Sequence, residues 1–304
     1  MSAIFEQVLM LFVFIVIGYV LAKTGIVKSE HTEIISKLLV YVFLPANIVK
    51  TFIRNCTVGY VSENYVLILY SFVIIAIFAI AARFAARLFT KKADEYGIYE
   101  YSLIIPNFGY MGYAFVGALF GEAGLMDAMM FSMPISIYTY TIGYCILSGK
   151  PFTPKSLLNP TMISLTVGMI LGLLGVGDVT PPIVYSVLDT AAACMAPVSM
   201  LLVGLVLADF KLASILRDPR TYIISALRLL LIPIGLGALL SLFAPPVVVT
   251  TAILLYAMPC GLNTVVFVKN AGGNCEIGAG LALVSSVLAC ASIPFVTYLF
   301  GITV

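Results

Sequence analysis

Charged side chains in this chain fall almost wholly between apolar segments long enough to cross a bilayer, and that pattern restricts the fold more than any other feature. A helix needs roughly 20 apolar residues to traverse hydrocarbon about 30 Å thick. Ten segments of this kind can be read, near residues 4–22, 38–52, 64–84, 98–120, 126–147, 157–175, 184–208, 222–243, 248–268 and 277–300. Of the 304 residues, 62% are hydrophobic and 10% charged. Soluble domains run at about 45–50% and 25%. The sequence therefore predicts an all-α polytopic membrane protein with the lipid bilayer as its surroundings and short loops between spans. It leaves no length for a soluble domain.

The charges that remain point to no nucleic-acid partner, because a net charge of +2 is spread over many loops. Six cysteines are scattered without a C-x-x-C pair, which reads as small core residues, not as a metal or disulfide framework. No cofactor is expected. No H-E-x-x-H pair or aspartate-rich motif supports an intramembrane enzyme, and the single His31 lies in a polar loop. The start of the chain lacks a basic region and a small-residue cleavage site, so the first apolar run is expected to be a retained span.

Orientation follows from Lys and Arg, which concentrate in cytoplasmic loops. They follow the odd-numbered spans: Lys23, Lys28 and Lys37, then Arg83, Arg87, Lys91 and Lys92, then Lys150 and Lys155, then Lys211, Arg217 and Arg220, then Lys269. The even-numbered loops carry Glu122, Asp127 and Asp178, with Lys50 and Arg54 as the exception. The expectation is a cell-membrane protein with odd loops in the cytoplasm and both termini outside.

Two spans are interrupted. Ile104-Ile-Pro-Asn-Phe-Gly-Tyr-Met-Gly112 and Tyr256-Ala-Met-Pro-Cys-Gly-Leu-Asn263 each place Pro, Gly and Asn inside an apolar segment. Proline removes a backbone donor and clashes with the preceding turn. The freed groups need protein or water partners in hydrocarbon. Pro45 and Pro197, Pro106 and Pro259, and the Gly121 and Asn270 turns all stand about 150 residues apart. With five spans per half, this spacing predicts an inverted-topology repeat: residues 1–148, a linker over 149–157, and residues 158–304. In such repeats, broken crossover helices four and nine meet near the midplane, and their half-helix ends form the binding site. The candidate substrate-binding residues are Pro106, Asn107, Gly109 and Tyr110 in one break and Pro259, Gly261 and Asn263 in the other. Helix N-termini beyond the breaks favour an anion, and the asparagines can either bind it or satisfy the broken backbone.

Asn47 and Ser199, each two residues past a proline, complete a polar cavity or make ordinary interhelical hydrogen bonds. Asp189 is the candidate for proton or ion coupling, with an external surface position as the alternative. Arg228 is expected to snorkel towards the cytoplasmic face. Gly117-x-x-x-Gly121 and Gly168-x-x-x-Gly172 predict close helix packing.

Tyr41-Val-Phe-Leu-Pro-Ala-Asn-Ile-Val-Lys-Thr-Phe52, Asn107-Phe-Gly-Tyr-Met-Gly112, Ala196-Pro-Val-Ser-Met-Leu-Leu-Val-Gly-Leu-Val-Leu207 and Met258-Pro-Cys-Gly-Leu-Asn263 together resemble the auxin efflux carrier family of membrane permeases, in its prokaryotic form with a short central linker. The resemblance implies a fold similar to sodium–proton antiporters and bile-acid transporters. Spans 1, 2, 6 and 7 would form a scaffold, and spans 3–5 and 8–10 a transport bundle. It also implies elevator-type transport of a small organic anion, such as a dicarboxylate or an auxin-like acid, and leaves room for a homodimer. Alternatives are a sodium-coupled bile-acid-like symporter and a non-transporting anion receptor. Cys260-Gly261-Leu262 departs from the small polar residues the family places after the ninth-span proline, and no acidic cluster resembles the sodium sites of bile-acid symporters.

Overall fold

The computed structural model describes residues 2–28, 31–210 and 216–303. Its helices are α1 (Ser2–Lys23), α2 (Thr32–Asn55), α3 (Val58–Asn64), α4 (Val66–Leu88), α5 (Ala93–Ile104), α6 (Phe108–Ser148), α7 (Pro160–Leu173), α8 (Pro182–Leu207), α9 (Pro219–Leu240), α10 (Pro246–Tyr256), α11 (Asn263–Asn270) and α12 (Glu276–Leu299). Seven of these, α1, α2, α4, α6, α8, α9 and α12, are long and apolar enough to cross a membrane, and α7 and α10 are shorter apolar helices. Among the described residues no strand forms; the one β-type contact is an isolated bridge between Pro106 and Cys260.

Sequence chemistry explains where the helices start. Proline opens α7, α8, α9 and α10, where its missing N–H costs nothing and its fixed φ suits the first turn. Asn159 and Asp218 cap α7 and α9 by accepting from the N–H groups of Met162 and Arg220. Where chain direction changes, glycine takes a left-handed φ: Gly25, Gly121, Gly149, Gly175, Gly272 and Gly301. They fall into three pairs, Gly25 with Gly175, Gly121 with Gly272 and Gly149 with Gly301, each about 150 residues apart, the spacing shown by the prolines.

The helices can be taken in two groups, which meet along α1 and α12 and where α6 lies against α2 and α8. In one, α1 lies along α8 and α2 along α7, with α2 also touching α8. The approach is backbone to backbone: a Cβ on Gly204 would lie 2.0 Å from the Ile15 carbonyl oxygen, and one on Gly18 2.2 Å from that of Leu201. Gly168 and Gly172 play the same part against Phe52 of α2 and Cys56 just past its end, as their spacing predicts. In the other group, α4 packs on α5 and α6, and α9 on α10 and α12.

Gly121 differs from its predicted packing role. A Cβ there would meet nothing within 4 Å, and its φ of 66° and ψ of −162° instead bend α6 into two arms. Only glycine visits that region readily.

Candidate functional site

The two interruptions face each other. Past Ile104 the chain cannot continue its helix, because Pro106 has no N–H to return to the Ser102 carbonyl. The Asn107 N–H, which would otherwise bond Leu103, crosses to the Pro259 carbonyl at 2.8 Å. Opposite, the Cys260 N–H leaves its own helix and binds the Ser285 hydroxyl oxygen at 3.0 Å. Pro106 and Cys260 thereby form the antiparallel bridge. Gly261 lies against this bridge, where a Cβ would make ordinary contacts of 3.4 Å and 3.5 Å with the carbonyl oxygens of Ile105 and Pro106. On the far side of each break a helix begins again, α6 with a wide π-helical turn over Phe108–Gly112 and α11 at Asn263.

A cavity of about 1150 Å³ opens beside these restarts. Tyr110 and Asn263 reach it from the breaks, and Pro45 and Leu202 from the first helix group. Tyr140, Tyr144 and Phe267 supply an aromatic wall, in which the Tyr144 and Phe267 rings meet edge-on at 5.4 Å. Lys37, Lys155 and Lys269, which follow the first, fifth and ninth apolar segments, stand around it. The cavity mouth is therefore on the side of the Lys-bearing, odd-numbered loops. Asn263 donates from Nδ2 to the Tyr101 hydroxyl at 2.9 Å. Asn107 is buried instead, and its Oδ1 has no hydrogen-bond partner. Pro106, Pro259 and Gly261 are likewise buried, while Gly109 is half-buried.

A family model described as membrane transport protein, that of the auxin efflux carriers, matches residues 3–153 and 150–297. The chain belongs to this family. It is also 22% identical over 299 residues to an uncharacterized transporter of Methanothermobacter thermautotrophicus, covering 95% of this chain and 96% of that protein. An uncharacterized transporter of Methanocaldococcus jannaschii is 24% identical over 211 residues, covering 67% and 68%. Family membership together with the apolar helices makes the protein a multi-pass membrane transporter, in a family of carriers and not of enzymes.

The remaining predicted residues of this family member lie outside the breaks. Ser199 donates to the Ala196 carbonyl at 2.9 Å and to that of Tyr110 at 3.3 Å, so it ties α8 to the π-helical turn of α6. Asn47 donates to the Met195 sulfur at 3.2 Å, an interhelical bond between α2 and α8. Asp189 sits in an ion cluster. Arg54 binds it at 2.9 Å and Glu122 at 2.7 Å, while Lys50 lies 3.4 Å from Asp189 and 3.1 Å from Glu122. The Arg54 guanidinium also lies over the Tyr185 ring, 4.5 Å from its centroid. The two cations that break the loop-charge pattern are thus matched by two carboxylates. This cluster joins α2, the Gly121 bend and α8.

Arg228 corrects the snorkelling expectation. It is 0% exposed, held in a π-helical turn of α9 over Leu227–Leu231. Its Nη1 donates to the Leu103 carbonyl at 3.2 Å, and the guanidinium lies 5.2 Å from the centroid of the Tyr256 ring. Sequence reading missed it because its partners lie on α5 and α10, both remote in the chain.

Proposed function

We propose that the protein is a secondary carrier for a small organic anion bearing a carboxylate, which binds where the two broken helices meet. The pairing of the breaks beside a one-sided cavity carries the reading. On this reading α5 with the first arm of α6, and α10 with α11, are crossover helices four and nine, and the chain counts ten spans in two inverted halves. The restarts of α6 and α11 present helix N-terminal dipoles, which favour negative charge. Asn263 supplies an amide that can donate to a carboxylate, and Asn107 an unused acceptor that suits a hydroxyl or an acid proton. Tyr110, Tyr140 and Tyr144 give apolar faces for the organic part of the ligand. The surrounding lysines raise the local concentration of anions.

The packing supports a division of labour. The first helix group, α1, α2, α7 and α8, serves as scaffold. The rest moves as an elevator, carrying the breaks from one face of the membrane to the other. The loop lysines support a cavity that opens to the cytoplasm in this state, with both termini outside a cell membrane. The cluster of Lys50, Arg54, Glu122 and Asp189 holds the opposite face shut. Glu122 of α6 is then the tie between the two groups, and Asp189 holds Arg54 and Lys50 in place on the scaffold side instead of carrying a proton.

The experiment is a thermal-shift screen of the purified protein over mono- and dicarboxylates and indole acids, followed by flux of the best ligand in proteoliposomes. One carboxylate should stabilise the protein and be transported, and Asn107→Ala and Asn263→Ala should each abolish flux while remaining folded. Wild-type rates in both variants would remove the breaks from the site. Binding without flux would make the protein a receptor.

A further inference from the structure

The breaks leave negative helix ends as well as positive ones, and a single buried cation meets them. The Ser102 and Leu103 carbonyls at the end of α5 have lost their helical partners: Pro106 brings no N–H, and the Asn107 N–H donates to Pro259 instead. A helix C-terminus carries roughly half a negative charge on such carbonyls. In transporters built from broken helices, unwound carbonyls and half-helix C-terminal ends are where coupling cations bind. Here the Arg228 guanidinium stands at that place. Its Nη1 takes the Leu103 carbonyl of α5, and its face lies over Tyr256, the last residue of α10. Arg228 makes no ion pair among the described residues, and its Nε and Nη2 have no hydrogen-bond partner. An uncompensated guanidinium inside a membrane is expensive, and a chain that keeps one uses it. The compensation visible around it is helix dipole, carbonyl oxygen and aromatic face, the same ligands a bound cation would find.

We propose that Arg228 is a resident cation that takes the place of a coupling ion, holding the C-terminal ends of α5 and α10 together so that the breaks keep their geometry with no sodium bound. Its role is positioning: it acts through the two half-helices and does not touch substrate. The π-helical turn over Leu227–Leu231 is what aims it, since a wide turn displaces a side chain from the regular helical face. The proposal rests on the breaks being the transport centre, but its test needs no substrate, so the two can fail separately.

The test is the melting temperature of the detergent-purified protein in choline, sodium and millimolar guanidinium chloride. Wild type should melt at the same temperature in all three. Stabilisation of wild type by sodium over choline would overturn the proposal, because the cation place would then be vacant to an ion. Arg228→Ala should melt several degrees lower and regain part of that loss in guanidinium, which fits the space left, but not in choline. Equal melting of this variant in guanidinium and choline overturns it as well. If Arg228→Ala yields no folded protein, Arg228→Lys and Arg228→Met separate charge from bulk. A folded lysine variant beside an unfolded methionine variant supports the proposal, and identical behaviour of the two overturns it.

Discussion

Asn107 and Asn263 occupy matching places in the two breaks, yet the protein uses them differently. Asn263 faces the cavity with its amide held by the Tyr101 hydroxyl, and Asn107 is enclosed with a free Oδ1. The asymmetry arises because Tyr101, on α5, supplies a hydroxyl to one asparagine only. A hydrogen bond of this kind inside a membrane protein is worth about 0.6–2 kcal/mol. Tyr101→Phe keeps the ring and removes the acceptor, so Asn263 should lose its fixed orientation. The expected result is a weakening of anion binding by about fivefold, the equivalent of about 1 kcal/mol, with little change in melting temperature. A thermal-shift titration of the variant measures both. That the asparagines stand at the two breaks was legible from the sequence, because Pro, Gly and Asn interrupt an apolar run in only a few ways. The Tyr101 contact was not, since it joins positions 162 residues apart.

At the level of helices, glycine does two separate jobs that look alike in sequence. Gly117-x-x-x-Gly121 and Gly168-x-x-x-Gly172 share a spacing, but only the second is a packing face; Gly121 is a bend. Spacing reports which residues share a helical face and not whether the helix continues. The left-handed glycines at Gly121 and Gly272 mark the turns after the two broken segments, so the half-to-half correspondence of the sequence reappears in backbone geometry. The two kinds of glycine predict different failures. Gly204→Ala puts a methyl 2.0 Å from a carbonyl of α1, and neither backbone can retreat without separating α1 from α8. The expected loss is at the upper end of the roughly 0.5–3 kcal/mol usual for single substitutions. Gly121→Ala has open space, so its cost is conformational, about 1–3 kcal/mol. It should fall on the angle between the two arms of α6. Melting temperatures should therefore drop in both variants, whereas cross-linking between cysteines introduced on α1 and α8 should fall only in Gly204→Ala.

Across the whole molecule, charge is arranged so that one side is open and the other tied. The open side carries the cavity and its lysines. The tied side carries Lys50, Arg54, Glu122 and Asp189, whose partners come from α2, the bend of α6 and α8. In the sequence these cations stand out only as exceptions to the loop-charge rule, because the carboxylates that match them lie far along the chain. The carboxylate side chains are 37% and 43% exposed, so each pair contributes no more than about 1 kcal/mol. A balance between two transport states needs only a few kcal/mol to be overturned. Glu122→Gln, which removes both ion pairs between α2 and α6, should therefore release the tie and, on the alternating-access reading, shift the population towards a state whose cavity opens on the opposite face. Ser36 lines the present cavity and serves as the reporter. In a background with the native cysteines replaced by alanine, Ser36→Cys should be labelled readily by a membrane-impermeant maleimide from the odd-loop side. Labelling should slow by about fivefold or more in the Glu122→Gln variant, given up to about 1 kcal/mol for each of the two pairs lost. Raising the salt concentration towards about 1 M, where the screening length falls to about 3 Å, should produce part of the same slowing in the parent protein, because ion pairs this exposed weaken in salt. Unchanged labelling in both conditions would mean that the four charges merely decorate that face, and that packing between the two helix groups alone sets which side is open.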